Sequence, residues 1–265
     1  MFPAQLAGPE AGAPNMTRFH LHLMVVVPLV ALAIFFRNIP LLIGVLLGSF
    51  IIVCLGVMLP QISLFGPFIC RGESSRRWVA LTFDDGPDAR STPALLDLLK
   101  EARVEAAFFA VGKRVAAERD LAARIVCEGH LLENHSFAHS NTTNFFTIPR
   151  LKAELAQAQE AIQQATGSAP KFFRPPMGLS NPNVFHAARA LGLKVIGWTA
   201  RGFDTQVHDP ERIVKRIVRQ LKPGAIILLH DGNIPAERLV VTVKLLLAKL
   251  HERGYEVVRL DRMLT

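Results

Sequence analysis

A membrane-inserted helical segment followed by a parallel α/β domain is the architecture this sequence predicts, and three observations predict it. Residues 21–59 are uncharged except for Arg37; beyond them, short β-rich runs alternate with amphipathic helical ones; and those β runs are nearly all apolar, as strands buried on both faces are. With 265 residues, half of them hydrophobic, the chain is long enough for one sizeable core plus an appendage.

The appendage comes first. After a polar, Pro/Gly-rich tail over residues 1–20, the stretch LHLMVVVPLVALAIFF (Leu21 to Phe36) carries no formal charge, and after Arg37 and Asn38 the run IPLLIGVLLGSFIIVCLGVML continues to Leu59. The second run alone approaches the roughly 20 apolar residues that span a bilayer, whereas the first is nearer the lower limit of about 17 and contains Pro28. One span is therefore expected within residues 21–60, with a two-helix hairpin as the alternative. A cleaved secretory signal fits less well, because the apolar stretch is too long and follows a polar tail rather than a basic one. A buried core hairpin fits least, since neither run has a polar face.

Charge narrows the partners. The formal net charge is +8, but the basic residues are scattered over Arg76-Arg77, Arg103, Lys113-Arg114, Arg150-Lys152 and Lys215 to Arg219, without the interleaved aromatics that stack bases. No nucleic acid is expected; an anionic membrane surface or an acidic polymer suits the excess. Of the three cysteines, Cys54 lies in the apolar run, which leaves Cys70 and Cys127 as the one pair that could bond, and none has metal-ligand spacing.

A linker is expected over residues 61–76, ending in the polar stretch Arg71-Gly72-Glu73-Ser74-Ser75, and the soluble domain over residues 77–265. Seven strands are predicted: Trp78 to Phe83, Ala106 to Val111, His130 to Glu133, Lys171 to Phe173, Lys194 to Trp198, Ala225 to Leu229 and Tyr255 to Leu260. Helices between them carry their own punctuation. Ser91-Thr92-Pro93 opens one, Thr147 and Pro149 open a second that Gly167 closes, and Asp209-Pro210 opens a third. An open doubly wound sheet and a closed barrel share this signature.

The chemistry gathers where strands end. Asp84 and Asp85 follow the first strand, His135 and His139 the third, RPPMG the fourth, TARGFD the fifth, and His230-Asp231 the sixth. In a parallel α/β protein all strand C-termini lie on one face, so these groups can converge. Gly86-Pro87 breaks the strand so that adjacent acids can serve one site. His135 and His139, spaced i and i+4, would face one cation from a helical turn. One Asp with two His makes three protein ligands, the number in a catalytic zinc site with a position left open. Taken alone, Asp-Asp is an ordinary turn, HxxxH ordinary helix surface, and RPP a rigid loop; the ordered set is far more specific.

That ordered set resembles the polysaccharide deacetylase family, also called carbohydrate esterase family 4 or the NodB homology domain, from about Arg77 to Leu264. The resemblance implies a distorted (β/α)7-type barrel and metal-dependent removal of acetyl groups from N-acetylated amino sugars. It implies that Asp84 of TFDDG is the catalytic base, that Asp85, His135 and His139 hold one divalent metal ion, zinc or else cobalt or another divalent ion, and that Arg174 holds a carboxylate of the site. It implies further that His230 is the general acid and that Asp204 orients it. Substrate contacts fall to Pro176, to Met177, which stands where the family commonly has Tyr but keeps the backbone N–H for the oxyanion, and to Leu228 against the acetyl methyl group. Thr205 follows Asp204 where the family typically has Trp, so a wall of the sugar groove is expected to be missing or to come from elsewhere.

The expected function is deacetylation of an N-acetylated glycan such as a chitooligosaccharide or peptidoglycan. Two alternatives stand beside it: deformylation or deacetylation of a lipid-linked amino sugar at the membrane surface, which keeps the site and changes the acyl group, and a silent carbohydrate-binding protein, against which every intact catalytic position counts. Arg71, Arg76 and Arg77 follow the second apolar run, Arg18 precedes the first, and Arg37 lies between. A hairpin would put the domain in the cytoplasm by the positive-inside tendency; one crossing, with Arg18 and Arg37 inside, puts it on the envelope side, the arrangement the resemblance favours.

Overall fold

The computed structural model of the protein describes residues 16–265, so the expected N-terminal tail lies outside the described residues as far as residue 15. Two apolar helices come first, α1 (Arg18–Phe35) and α2 (Ile39–Met58). Thr17 caps α1 and accepts from the His20 backbone N–H. Asn38 caps α2 through Leu41 N at 3.0 Å, and Arg37, with φ 49°, turns the chain between them. At 20 residues α2 is about 30 Å long, the thickness of a bilayer core. The two pack as an antiparallel hairpin joined near its middle by His22 Nε2 and Ser49 Oγ at 2.9 Å. Both runs are helical and mutually paired, and each is long and apolar enough to be a candidate membrane span. Only 6% of each apolar window is buried, which is not how a core helix behaves.

The hairpin leads without slack into the domain. The segment expected as a linker is part of the fold: Leu64, Phe65 and Phe68 are buried, Ile69 bridges to Ile196, and Arg71 bridges to Ala225. Arg18 Nη1 donates to Ile62 O at 2.7 Å and Phe19 N to Leu64 O at 2.8 Å, so the start of α1 and the end of α2 meet on the domain's side.

The domain then alternates strand and helix: β1 (Trp78–Asp84), α3 (Thr92–Ala102), β2 (Ala107–Ala110), α4 (Gly112–Ala117), α5 (Arg119–Cys127), β3 (Leu131–Asn134), α6 (Ile148–Thr166), β4 (Phe172–Phe173), α7 (Pro182–Ala190), β5 (Lys194–Val195), β6 (Ala200–Arg201), α8 (Pro210–Gln220), β7 (Ala225–His230), α9 (Ala236–Glu252), β8 (Glu256–Val257) and α10 (Leu260–Met263). The eight strands form one curled parallel sheet in the order β5-β4-β3-β2-β1-β7-β6, with β8 beside the start of β1. This is the distorted α/β barrel expected, with helices outside.

One core lies between sheet and helices, built on Val79, Leu81 and Phe83 of β1, Leu95 and Leu99 of α3, and Ile227 and Leu229 of β7. A second fills the concave side with Ala80, Phe109, Trp198, Ile226 and Leu228. Alternate residues of β1 therefore feed two cores, which is why its sequence reads as one apolar run.

Beyond shifts of a residue at most strand ends, the sheet departs from expectation in three places. The fifth run, read to Trp198, is strand only at Lys194 and Val195, with Ile196 bridged to Ile69; β6 is an additional two-residue strand; and the last run shrinks to Glu256–Val257 because α10 begins at Leu260. All three cysteines are free.

Candidate active site

β1 and β7 run side by side with Asp84 opposite His230, so the last residues of the two strands open onto the same rim. The acids separate there. Asp84 keeps strand geometry and is buried, while Asp85 takes a left-handed backbone, φ 74°, which turns its carboxylate toward the other ligands. Non-glycine residues adopt this region at a cost, and Ser136, His139, Met177 and Phe203 around the same cavity do so as well. A Cβ at Gly86 would meet the Asp231 carboxylate, so only glycine fits where the β1 loop crosses β7.

His135 and His139 do not lie on a helical turn; the chain after β3 is a bent loop with left-handed Ser136 and His139. The imidazoles nevertheless come together with ring centroids 4.9 Å apart. His135 Nε2 stands 3.4 Å and His139 Nε2 3.2 Å from Asp85 Oδ1, and the three donor atoms all lie within 4.8 Å of one another. His135 Nδ1 is 2.7 Å from the Arg174 carbonyl, which fixes Nδ1 as a donor and turns Nε2 toward Asp85. One carboxylate and two imidazole nitrogens converging on one point is a donor set that fits a divalent cation. Burial works against the Asp85 anion, but the hydrogen bond and charge of His135, with His230 and His139, hold its carboxyl well below the usual range. For His135 the desolvation that disfavours its charge is outweighed by Asp84 and Asp85, whereas burial and the charge of His135 lower His139.

Arg174 is wholly buried under the site. Its Nη1 donates to Asp84 Oδ1 at 2.6 Å and Thr82 Oγ1 at 2.8 Å, its Nη2 to Gly197 O at 3.1 Å, and its guanidinium lies 4.1 Å from the Phe109 ring centre. Burial lowers its pKa, and Asp84 offsets that. On the opposite side Asp204 holds His230 twice, accepting from the backbone N–H at 2.8 Å and facing Nδ1 at 3.0 Å. Burial depresses the imidazolium, but the Asp204 carboxylate outweighs it, and the His230 pKa rises to about 9.

A cavity of about 410 Å³ joins these groups, lined by Asp84, Asp85, His135, His139, His230, Met177 and Leu228 together with Trp198, Arg201 and Phe203. Of the expected substrate contacts, Met177 and Leu228 reach the cavity, while Pro176 is buried behind it. Thr205 lines the cavity too, and Trp198 and Phe203 are its aromatic lining residues. In the sequence Trp198 reads as a strand end and Phe203 carries no assigned role. The aromatic-Arg-aromatic spacing of Trp198, Arg201 and Phe203 just before Asp204 was the available signal.

A parallel α/β barrel with an Asp-His-His donor set and a carboxylate-paired histidine at its C-terminal rim defines a hydrolase site. The profile of the family described as polysaccharide deacetylase matches residues 71–196. A peptidoglycan-N-acetylglucosamine deacetylase of Bacillus cereus is 32% identical over 193 residues, covering 72% of this chain and 90% of that protein. A chitooligosaccharide deacetylase of Bradyrhizobium sp. is 34% identical over 196 residues, covering 69% and 89%. Among solved structures, a CE4 family pseudoenzyme from Bacillus anthracis superposes with a TM-score of 0.70 at 28% identity, over 75% of this chain and 69% of its own. The chain belongs to the polysaccharide deacetylase family and is a hydrolase of its amide-cleaving type.

Proposed function

We propose that the protein is a metal-dependent N-deacetylase of N-acetylated amino sugars, anchored to the membrane by α1 and α2. The observation that supports this most is the convergence on one cavity of the Asp85-His135-His139 donor set, the Arg174-bound Asp84 and the Asp204-bound His230. Asp85, His135 and His139 would hold one divalent ion, zinc or cobalt among those that suit this donor set, and the ion would supply an acidified water and polarise the amide carbonyl.

Every other task falls to the chain. Asp84 receives the proton of the attacking water, with Oδ1 pinned by Arg174 so that Oδ2 faces the site. The Met177 backbone N–H donates to the oxygen that gains charge in the tetrahedral intermediate. His230 carries a proton at neutral pH, Asp204 occupies its Nδ1, and Nε2 is free to protonate the leaving nitrogen so that a neutral amine departs. Leu228 and Trp198 shield the acyl methyl group from water.

Acetate release from N-acetylated sugars by the full-length protein in detergent, before and after stripping and restoring zinc, tests the reading. Release that needs the metal and disappears in His135→Ala and His139→Ala supports it. Formate release from N-formyl sugars in its place would make the enzyme a deformylase, and sugar binding without release would make it a silent relative.

The paired helices bear on sidedness. They gather Arg18, Arg71, Arg76 and Arg77 at the domain's end and leave Arg37 at the far turn, and we therefore propose a cytoplasmic domain in place of the envelope-facing arrangement, which assumed one crossing. An impermeant thiol reagent should label a cysteine introduced at Asp261 only after lysis; labelling of intact cells would overturn this.

A further inference from the structure

The cavity holds two arginines of opposite character. Arg174 is spent on Asp84, whereas Arg201, half-buried at the cavity wall, has no carboxylate within ion-pair distance among the described residues and donates no side-chain hydrogen bond. It lies instead on aromatic rings, 4.0 Å from the Phe203 centre and 5.5 Å from that of Trp198, with Arg216 5.6 Å from Phe203 on the same ring. Desolvation already disfavours the charge of Arg201. A guanidinium held over rings with no protein group taking up its N–H donors can give a phosphate two parallel hydrogen bonds. A neutral glycan would leave that cation without a counter-charge.

An independent observation concerns where the cavity opens. Its Met177–Gly178–Trp198 wall is bonded directly to the end of the helical hairpin: Ser180 N donates to Val57 O in the last turn of α2 at 3.3 Å, and Gln61 Nε2 donates to Trp198 O at 2.9 Å. Met58 and Leu59 between those anchor points are exposed, as a helix end at a bilayer surface is. Met177 on the cavity rim is 49% exposed. Phe145, 85% exposed, extends from the loop whose Asn144 carbonyl accepts from Asn181, beside Ser180. Exposed apolar side chains thus lie both at the cavity rim, in Met177, and on the hairpin's end bonded to that wall, the placement of a surface that meets a bilayer.

From these two features we infer that the substrate is an N-acetylated amino sugar joined through phosphate to a lipid held in the membrane, with Arg201 binding the phosphate. This rests on the deacetylase reading and narrows it to a membrane-held, anionic substrate. Arg201 determines specificity and takes no part in the bond cleavage.

The test uses the full-length protein in phosphatidylcholine vesicles and compares acetate release from three probes: a long-chain alkyl ester of N-acetylglucosamine 1-phosphate in the same vesicles, soluble N-acetylglucosamine 1-phosphate, and a neutral chitooligosaccharide. The expected order of kcat/KM is lipid phosphosugar, soluble phosphosugar, neutral oligosaccharide, with steps of about tenfold or more, as a charge-assisted pair implies. Arg201→Ala should raise KM for both phosphosugars about tenfold with little change in kcat, and Arg201→Lys should restore part of the loss, which a merely structural role would not. A neutral oligosaccharide turned over as well as the lipid phosphosugar would overturn the inference and leave the deacetylase reading standing. A preference for the lipid probe that survives in Arg201→Ala would overturn the role of Arg201. Acetate from none of the three would overturn the deacetylase reading and this inference with it.

Discussion

In the hairpin, residues 18–58 follow regular helix with apolar side chains outward, and the single left-handed residue, Arg37, sits at the turn; at the strand ends, Asp85, Ser136, His139, Met177, Phe203 and Asn233 are all left-handed, and the ionisable side chains of Asp84, His135, Arg174 and Asp204 are buried. Each such non-glycine residue costs of order 1 kcal/mol, and burying charge costs more unless it is paired. The rim therefore draws on the stability of the barrel core, whereas the hairpin needs only a lipid solvent. Substitutions at the rim should be large in effect and specific in kind, and substitutions in the hairpin small.

The largest effect is expected at the neighbouring acids. Asp84→Asn should keep its metal and lose turnover by about 10²–10⁴-fold, whereas Asp85→Asn should lose the metal itself. Metal analysis beside initial rates checks this, and equal metal loss in both variants would end the division of labour between them. Next comes Arg174→Met, which leaves Asp84 buried without its partner and should destabilise by about 3–5 kcal/mol, lowering Tm on the order of 10 °C. Combining it with Asp84→Asn should recover part of the loss; additive losses would mean that the guanidinium matters for packing alone.

A smaller and more diagnostic effect concerns pH. His230 is protonated below about 9 because Asp204 favours the imidazolium, so the alkaline limb of kcat should fall near that pH. Asp204→Asn removes the carboxylate, lowers the His230 pKa and moves the limb to lower pH. The same sign holds for stability: the pairing contributes fully below the unfolded His value and is lost as pH rises through about 9. An unmoved limb in Asp204→Asn would assign it to another group. The smallest effect belongs to the hairpin, where His22→Ala removes the bond to Ser49 and should cost about 0.6 kcal/mol of helix pairing with turnover unchanged. Thermal unfolding in detergent measures it, and a loss as large as that of Arg174→Met would erase the contrast between the two regions.

What could be read in the sequence divides along the same line. Asp84, Asp85, His135, His139 and His230 were legible because parallel strands deliver their C-terminal residues to one rim, and each follows an apolar run. The i, i+4 spacing of the histidines suggested a helical turn, whereas a loop with left-handed Ser136 and His139 brings the two rings together. β6 was invisible because two residues carry no periodicity. The aromatic platform of Arg201 depends on Phe203 taking a conformation that local sequence does not advertise. The stretch around Arg71 looked like a tether because its polar composition is that of a loop, although the bonds it makes are backbone ones.

That stretch has a consequence for the life of the molecule. Ile69 is bridged to Ile196 just past β5, and Arg71 and Gly72 are bonded to Ala225 and Gly224 at the start of β7, so the chain leaving the anchor bridges the seam between the two flanks of the sheet. A protease cutting downstream of Arg71 would not shed an intact soluble enzyme from the bilayer; it would unzip that seam and expose backbone donors and acceptors to edge-to-edge association. Attachment to the membrane and integrity of the barrel are thus inherited together, and a descendant that abandoned the bilayer would have to retain residues 69–72 as a strap with nothing left to hold down.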